Sequence, residues 1–150
     1  MVWEGIAYEA RTDLTVFEMG NVNAQRYVEE VLQDHVIPFA PFIGDGFQLM
    51  HDNARCHTAR AVTQYLNKVE IQILPWPARA PDLNPIEHIW DNLKRRVRAR
   101  VPAPATLEEL KTAVKEEWHN IPQLDIQNML NEMRSRLQEV IRDRDGNTRY

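Results

Sequence analysis

Two stretches decide how this chain is read: His51-Asp52-Asn53-Ala54-Arg55-Cys56-His57-Thr58-Ala59 and Ala80-Pro81-Asp82-Leu83-Asn84-Pro85-Ile86-Glu87-His88-Ile89-Trp90. In the first, Asp52 directly follows the mostly apolar run Phe47-Gln48-Leu49-Met50-His51, which reads as a buried strand, so its carboxylate leaves the carboxyl end of a strand. In the second, Asn84 and Pro85 are a helix cap and a first-turn proline, which puts Glu87 in the opening turn of a helix. Each segment thus sets one acid at the edge of a regular element. Two carboxylates held this way are suited to share divalent ions and drive phosphodiester chemistry.

Working outward, residues 2–9 and 14–19 read as strands of a hairpin turning at Ala10-Arg11-Thr12-Asp13. Asn21 or Asn23 caps a helix through about residue 33 with Tyr27, Val28, Val31 and Leu32 at helical spacing, and Pro38 and Pro41 are expected to end it. After the turn Gly44-Asp45-Gly46 comes the strand leading to Asp52, then a helix capped by Asn53 that carries Val62, Tyr65 and Leu66. Residues 69–74 alternate as a half-buried strand, and the three prolines of 75–81 exclude regular structure there. A helix from Asn84 to about Arg100 follows, then a Pro102/Pro104 linker. Thr106-Leu107-Glu108-Glu109 is a capping box that opens a helix with Leu107, Leu110, Val114 and Trp118. Pro122 opens a last helix with Ile126, Met129, Leu130, Met133, Leu137 and Val140 on its apolar face, and residues 142–150 are a polar, frayed tail. The order is that of an α/β fold with a mixed sheet. We expect a core over residues 1–101 and a C-terminal helical extension over 102–150.

Composition narrows the function classes. A single cysteine, Cys56, excludes a disulfide framework within one chain, and no signal-peptide pattern or apolar run of membrane-spanning length is present, so neither secretion nor membrane insertion is expected. The net charge of −4 hides an asymmetry: residues 1–75 are strongly acidic, whereas Lys94-Arg95-Arg96-Val97-Arg98-Ala99-Arg100 concentrates positive charge. Local density of that kind governs phosphate contact more than the total does. With the core face on Ile86, Ile89, Trp90, Leu93 and Val97, about 100° per residue leaves Glu87, Asp91, Lys94 and Arg98 on one flank.

Each acid also has a plain structural reading. Asp52-Asn53 matches an ordinary helix cap, and Glu87 stands three residues after Asn84, where a glutamate reaches back to a free backbone N–H. The basic flank reads equally as a solvated face with i,i+4 ion pairs. His51, Cys56 and His57 lack a second ligand pair at zinc-like spacing, so structural zinc is not expected. Trp90 and Trp118 read as core, with Trp76 in the proline loop left open as a stacking surface.

Taken together, the Asp-Asn-Ala-Arg stretch at 52–55 and the Ala-Pro-Asp-Leu-Asn-Pro-Ile-Glu-His stretch at 80–88 resemble the mariner-type (Tc/mariner) transposases. Met1-Val2-Trp3 with Gly5 resembles that family's second core strand, Asn23-Ala24-Gln25-Arg26-Tyr27 its first helix, and Gly146-Asn147-Thr148-Arg149-Tyr150 a family carboxyl terminus. The resemblance implies an RNase H-like catalytic domain with an Asp-Asp-Glu triad binding two Mg²⁺ or Mn²⁺ ions. Asp52 would be the second acid and Glu87 the third, with Asn53 and His57 beside the pocket and Lys94, Arg95, Arg96 and Arg98 as DNA-phosphate contacts. Glu4 stands where the family usually has a glycine. The strand bearing the first Asp, and the helix-turn-helix modules, would precede Met1, so the expectation is a mixed sheet truncated at its N-terminal strand.

That strand is central in such a sheet, and without it two edges would face each other, pair directly, or take a strand from a partner. The expected function is therefore a truncated transposase catalytic domain, inactive as an isolated chain, with transposon-end DNA and a homodimer mate or strand donor as partners. The alternative is a non-enzymatic DNA-binding or oligomerising remnant. The expected location is the nucleus in a eukaryote and the cytoplasm otherwise.

Overall fold

The computed structural model describes residues 1–77 and 83–142. The expectations for 78–82, part of the proline loop, and for the 143–150 tail lie outside the described residues, as do those for the side chains of Leu137 and Val140. The chain divides into two compact units, one of residues 1–5 and 15–79, the other of residues 6–14 and 80–150.

The first unit is built on a helix over residues 24–43. It has a short α segment, α1 (Ala24–Arg26), then a wider, π-wound segment (Tyr27–Val36), then α2 (Ile37–Ile43). Asn23 caps it by accepting the Arg26 N–H. It runs through both prolines instead of stopping before them. The winding changes where the Ile37 N–H reaches back to Leu32, and Pro38 falls in the first turn of the next segment, where a missing donor is tolerated. The helix stops at Gly44, whose φ of 110° strongly favours glycine.

Against its apolar face, Tyr27, Val28, Val31, Leu32 and Val36 form one core with Phe17, Leu49, Val62 and Leu66. Two ladders pack there: β1 (Val2–Trp3) runs antiparallel to β2 (Thr15–Val16), with Val2 opposite Val16, and β3 (Gln48–Leu49) runs parallel to β4 (Gln72–Ile73). Helix α3 (Arg60–Lys68) makes the crossover from β3 to β4. Trp3 and Thr15 both meet His35, by ring contact and by a 2.7 Å hydrogen bond.

The mixed sheet is thus two short ladders, which among the described residues do not pair with each other. The hairpin strands are also far shorter than 2–9 and 14–19. Their middle bends at Ala7–Ala10, and the carbonyls of Ala7, Tyr8 and Thr12 accept bonds from Gln123 and Trp118 side chains, so those carbonyls serve tertiary contacts instead of a long ladder.

The second unit holds α4 (Pro85–Arg98), α5 (Leu107–His119) and α6 (Gln123–Arg142). Leu83, Ile89, Leu93, Val97, Ala113, Trp118, Ile121 and Ile126 are among the residues buried on these helices and their flanks. The Thr106 capping box forms as the sequence reads: Thr106 Oγ1 accepts the Glu109 N–H, and the Glu109 carboxylate accepts the Thr106 N–H. No helix among the described residues is long and apolar enough to cross a membrane.

Candidate active site

Asp52 follows β3, and its surroundings belong wholly to the first unit. The expectation that Asn53 caps the next helix is corrected: α3 begins only at Arg60, after Ala59, which makes no side-chain cap bond. The intervening residues turn tightly instead, with the Ala54 carbonyl accepting the N–H groups of both His57 and Thr58. Asp52 Oδ1 drives this turn by accepting the Ala54 N–H at 2.9 Å, a local bond that competes with helix formation. Asn53 has another task, its amide donating to the Trp76 carbonyl at 3.1 Å, which ties the loop after β3 to the loop after β4.

His57 comes back over Asp52, its Nδ1 lying 2.6 Å from Oδ1. Its ring stacks on His51, with centroids 5.0 Å apart and planes 5° from parallel, and lies 4.3 Å from the Tyr27 ring. The Tyr27 hydroxyl meets His51 Nδ1 at 3.0 Å. Tyr27 sits in the first turn of the π-wound segment and is only 2% exposed, so the cluster hangs from the core helix. π-Winding is rare and often marks functional sites. Burial, then the nearby Cys56 thiol and Asp52 carboxylate, raise the Tyr27 hydroxyl well above its usual range and keep it protonated.

Burial first, and then His57, lower His51 to about 4, against a smaller opposing pull from Asp52. A histidine depressed in the folded state gives stability that is complete above its unfolded value near 6.5 and is lost as pH falls from there toward 4. Metal-free protein should therefore lose stability across that interval. Urea titrations at several pH values should show a shallower loss in His51→Gln, and an identical slope would remove His51 from the account.

Glu87 lies in the second unit and is exposed in the first turn of α4. The capping reading predicts a carboxylate folded back on the helix start. Instead, the Asn84 side chain accepts the Ile86 N–H, and the Glu87 carboxylate makes no hydrogen bond or ion pair to any described residue. Asp52 Oδ2 is likewise without a hydrogen bond to the described residues. Among the described residues, the structural roles that the sequence offers for these acids leave one whole carboxylate and one oxygen of the other unengaged.

The basic residues of α4 divide sharply. Arg96 donates to Asn92 Oδ1 at 2.7 Å and reaches Asn120 and Asp125, so it braces α4 against α6. Arg95 pairs with Asp91 at 3.3 Å. Arg100, just beyond the helix, is held between Glu116 and Glu117. Lys94 and Arg98 are exposed and have no ion pair or hydrogen bond to the described residues.

Sequence reasoning undervalued three residues here. Tyr27 was visible only as a core position, although a tyrosine on a buried helix face must find a partner for its hydroxyl. His51 reads from sequence only as part of a zinc set that lacks its second ligand pair. Arg11 gave no signal: its guanidinium lies 5.1 Å from the Trp118 ring and donates to the carbonyls of His119 and Ile121.

The same architecture occurs in the crystal structure of the catalytic domain of Mos1 mariner transposase, which matches 98% of this chain and 74% of that one at a TM-score of 0.80 and 21% identity. The fold is therefore RNase H-like. The chain belongs to the DDE superfamily endonuclease family, whose pattern matches residues 3–111. Among its relatives, the Tc3 transposase of Caenorhabditis elegans is 29% identical over 152 residues, covering 100% of this chain and 45% of that protein. The Tc1 transposase of the same organism is 34% identical over 126 residues, covering 81% of this chain and 44% of that protein. The chain thus spans under half the length of these relatives.

Proposed function

We propose that this chain is part of a DDE transposase catalytic domain in which Asp52 and Glu87 are ligands for Mg²⁺ or Mn²⁺ in DNA cleavage and strand transfer. The observation that carries the reading is that no described residue uses up either acid. Glu87 completes no capping box, and Asp52 caps no helix and has an Oδ2 that no described residue engages. Carboxylate oxygens are hard donors suited to these ions. Mos1 catalytic-domain structures include one with Mn and one with Mg, which supports the same choice of metal here. Bound divalent metal would supply an activated nucleophile and stabilise the leaving oxygen of an in-line displacement. The chain's own contribution is to orient its carboxylates, through the Ala54 N–H and His57 in the case of Asp52.

Among the described residues no three His, Cys, Asp or Glu side chains form a ready-made metal cage. The resemblance to mariner-type transposases implies three acids, and this chain offers two at matching segments. We therefore expect metal binding without efficient cleavage from the isolated chain. Its place of work would be with DNA, in the nucleus of a eukaryote or the cytoplasm otherwise.

A thermal melt with and without Mn²⁺ tests the reading, because a ligand that binds only the folded state raises the midpoint by mass action. We expect a rise in wild type and none in Asp52→Asn. Equal rises in both would remove Asp52 from the metal site.

A second reading, DNA binding without catalysis, is favoured by Lys94 and Arg98, whose charges no described residue offsets. Support for a DNA partner comes from the Mos1 mariner paired-end complex, which aligns with 83% of this chain at a TM-score of 0.68. If both residues touch phosphate, Lys94→Gln and Arg98→Gln should each lower the slope of log affinity against log salt by about 1, irrespective of sequence. Arg96→Gln should instead destabilise the protein. Unchanged slopes in the first two variants would sink the contact.

A further inference from the structure

We infer that His57 is a positioning residue, which turns the Asp52 carboxylate so that a single oxygen, Oδ2, is presented to a divalent ion. The inference rests on the reading of Asp52 as a metal ligand and goes beyond it by saying which oxygen binds and what aims it.

Oδ1 is doubly engaged, by the Ala54 N–H at 2.9 Å and by His57 Nδ1 at 2.6 Å. An ionised carboxylate only accepts, so His57 must carry its proton on Nδ1. Two donors converging on one oxygen fix rotation about the carboxylate bond, and Oδ2, on a side chain that is 56% exposed, accepts no bond from any described residue. His57 is itself held, with its ring lying on His51 and against Tyr27. Tyr27 in turn is rooted in the buried face of the core helix. The sequence Tyr27, His51, His57, Asp52 is therefore a chain of contacts from the core to the carboxylate, and all of it lies within one unit. Partners of metal ligands are worth about 10–100-fold in metal affinity because they select the ligand's orientation before the metal arrives.

The test is Mn²⁺ affinity of the full chain, read from the loss of the free-ion EPR signal on titration, in wild type, Asp52→Asn, His57→Phe and His57→Asn. Circular dichroism checks that each variant is folded. Phenylalanine keeps a ring to stack on His51 and Tyr27 but has no N–H. Asparagine loses the ring and places an amide donor near the position of Nδ1. We expect His57→Phe to weaken Mn²⁺ binding by about 10–100-fold and His57→Asn to recover most of that loss. Wild-type affinity in His57→Phe would overturn the positioning role while leaving Asp52 as a ligand. Equal weakening in both histidine variants would assign the effect to packing and also overturn it. Absent binding in wild type, or full binding in Asp52→Asn, would overturn the metal reading and this inference with it.

Discussion

Trp118→Ala should remove about 3–5 kcal/mol of stability, the range for emptying a large aromatic site in a core. Trp118 is 0% exposed and joins three things in the second unit. It fills the interior of a unit in which Ile121 and Ile126 are also fully or almost fully buried. Its indole N–H donates to the Thr12 carbonyl at 2.9 Å, across 106 residues of sequence. Its ring also receives the Arg11 guanidinium. Trp118→Phe keeps most of the apolar surface but removes the N–H from the Thr12 carbonyl, so its cost should be smaller, about 1–3 kcal/mol. Domains of this size are stable by only about 5–15 kcal/mol, so the alanine change should shift a urea midpoint visibly. A loss below about 1 kcal/mol would mean that the second unit does not close around this residue.

Glu87→Gln should have the opposite profile, with almost no effect on the metal-free protein and a large effect on its response to metal. Because Glu87 is exposed and meets no described partner, its neutral isostere should change metal-free stability by no more than about 0.5 kcal/mol. In wild type, Mn²⁺ at a hundred times its dissociation constant should add about 2.7 kcal/mol, and that gain should be absent in Glu87→Gln. Glu109 is the internal control. It too stands three residues after a helix cap, but its Oε2 accepts the N–H groups of Ala105 and Thr106 at 2.7 and 3.1 Å. Glu109→Gln should therefore weaken the metal-free protein and leave the increment from Mn²⁺ intact. If Glu87→Gln instead costs as much as Glu109→Gln without metal, then Glu87 is a cap after all and its place in a metal site fails.

That pair of glutamates shows how far the sequence could be read. Both sites carry the pattern of a capping box, and the pattern is local, so it foretells both boxes equally. Only one forms. At α4 the Asn84 side chain accepts the Ile86 N–H, and the glutamate is left out. Asp52-Asn53 shows the same limit. The sequence allows a helix cap, but the turn that His57 and Ala54 make on Asp52 delays the helix to Arg60.

By itself, the sequence determined what depends on neighbours along the chain. The positions of α4 and α5 follow from Asn84-Pro85 and from Thr106 with Glu109, and the apolar periodicity of the core helix was legible in Tyr27, Val28, Val31 and Leu32. The segments bearing Asp52 and Glu87 were legible too, through the strand that ends just before Asp52 and the Asn84-Pro85 pair that opens the helix bearing Glu87. Tertiary structure decided the rest. It carried the helix past Pro38 and Pro41 to Gly44, cut the hairpin strands to two residues each by drawing their carbonyls to Trp118 and Gln123, and tied up Arg96 and Arg100 while giving Lys94 and Arg98 no partner among the described residues. It also brought Tyr27 to His51 and His57. The physical reason is common to all of these. Each turns on which of several competing partners a polar group or a charge finally takes, and those partners lie up to 116 residues away in the chain.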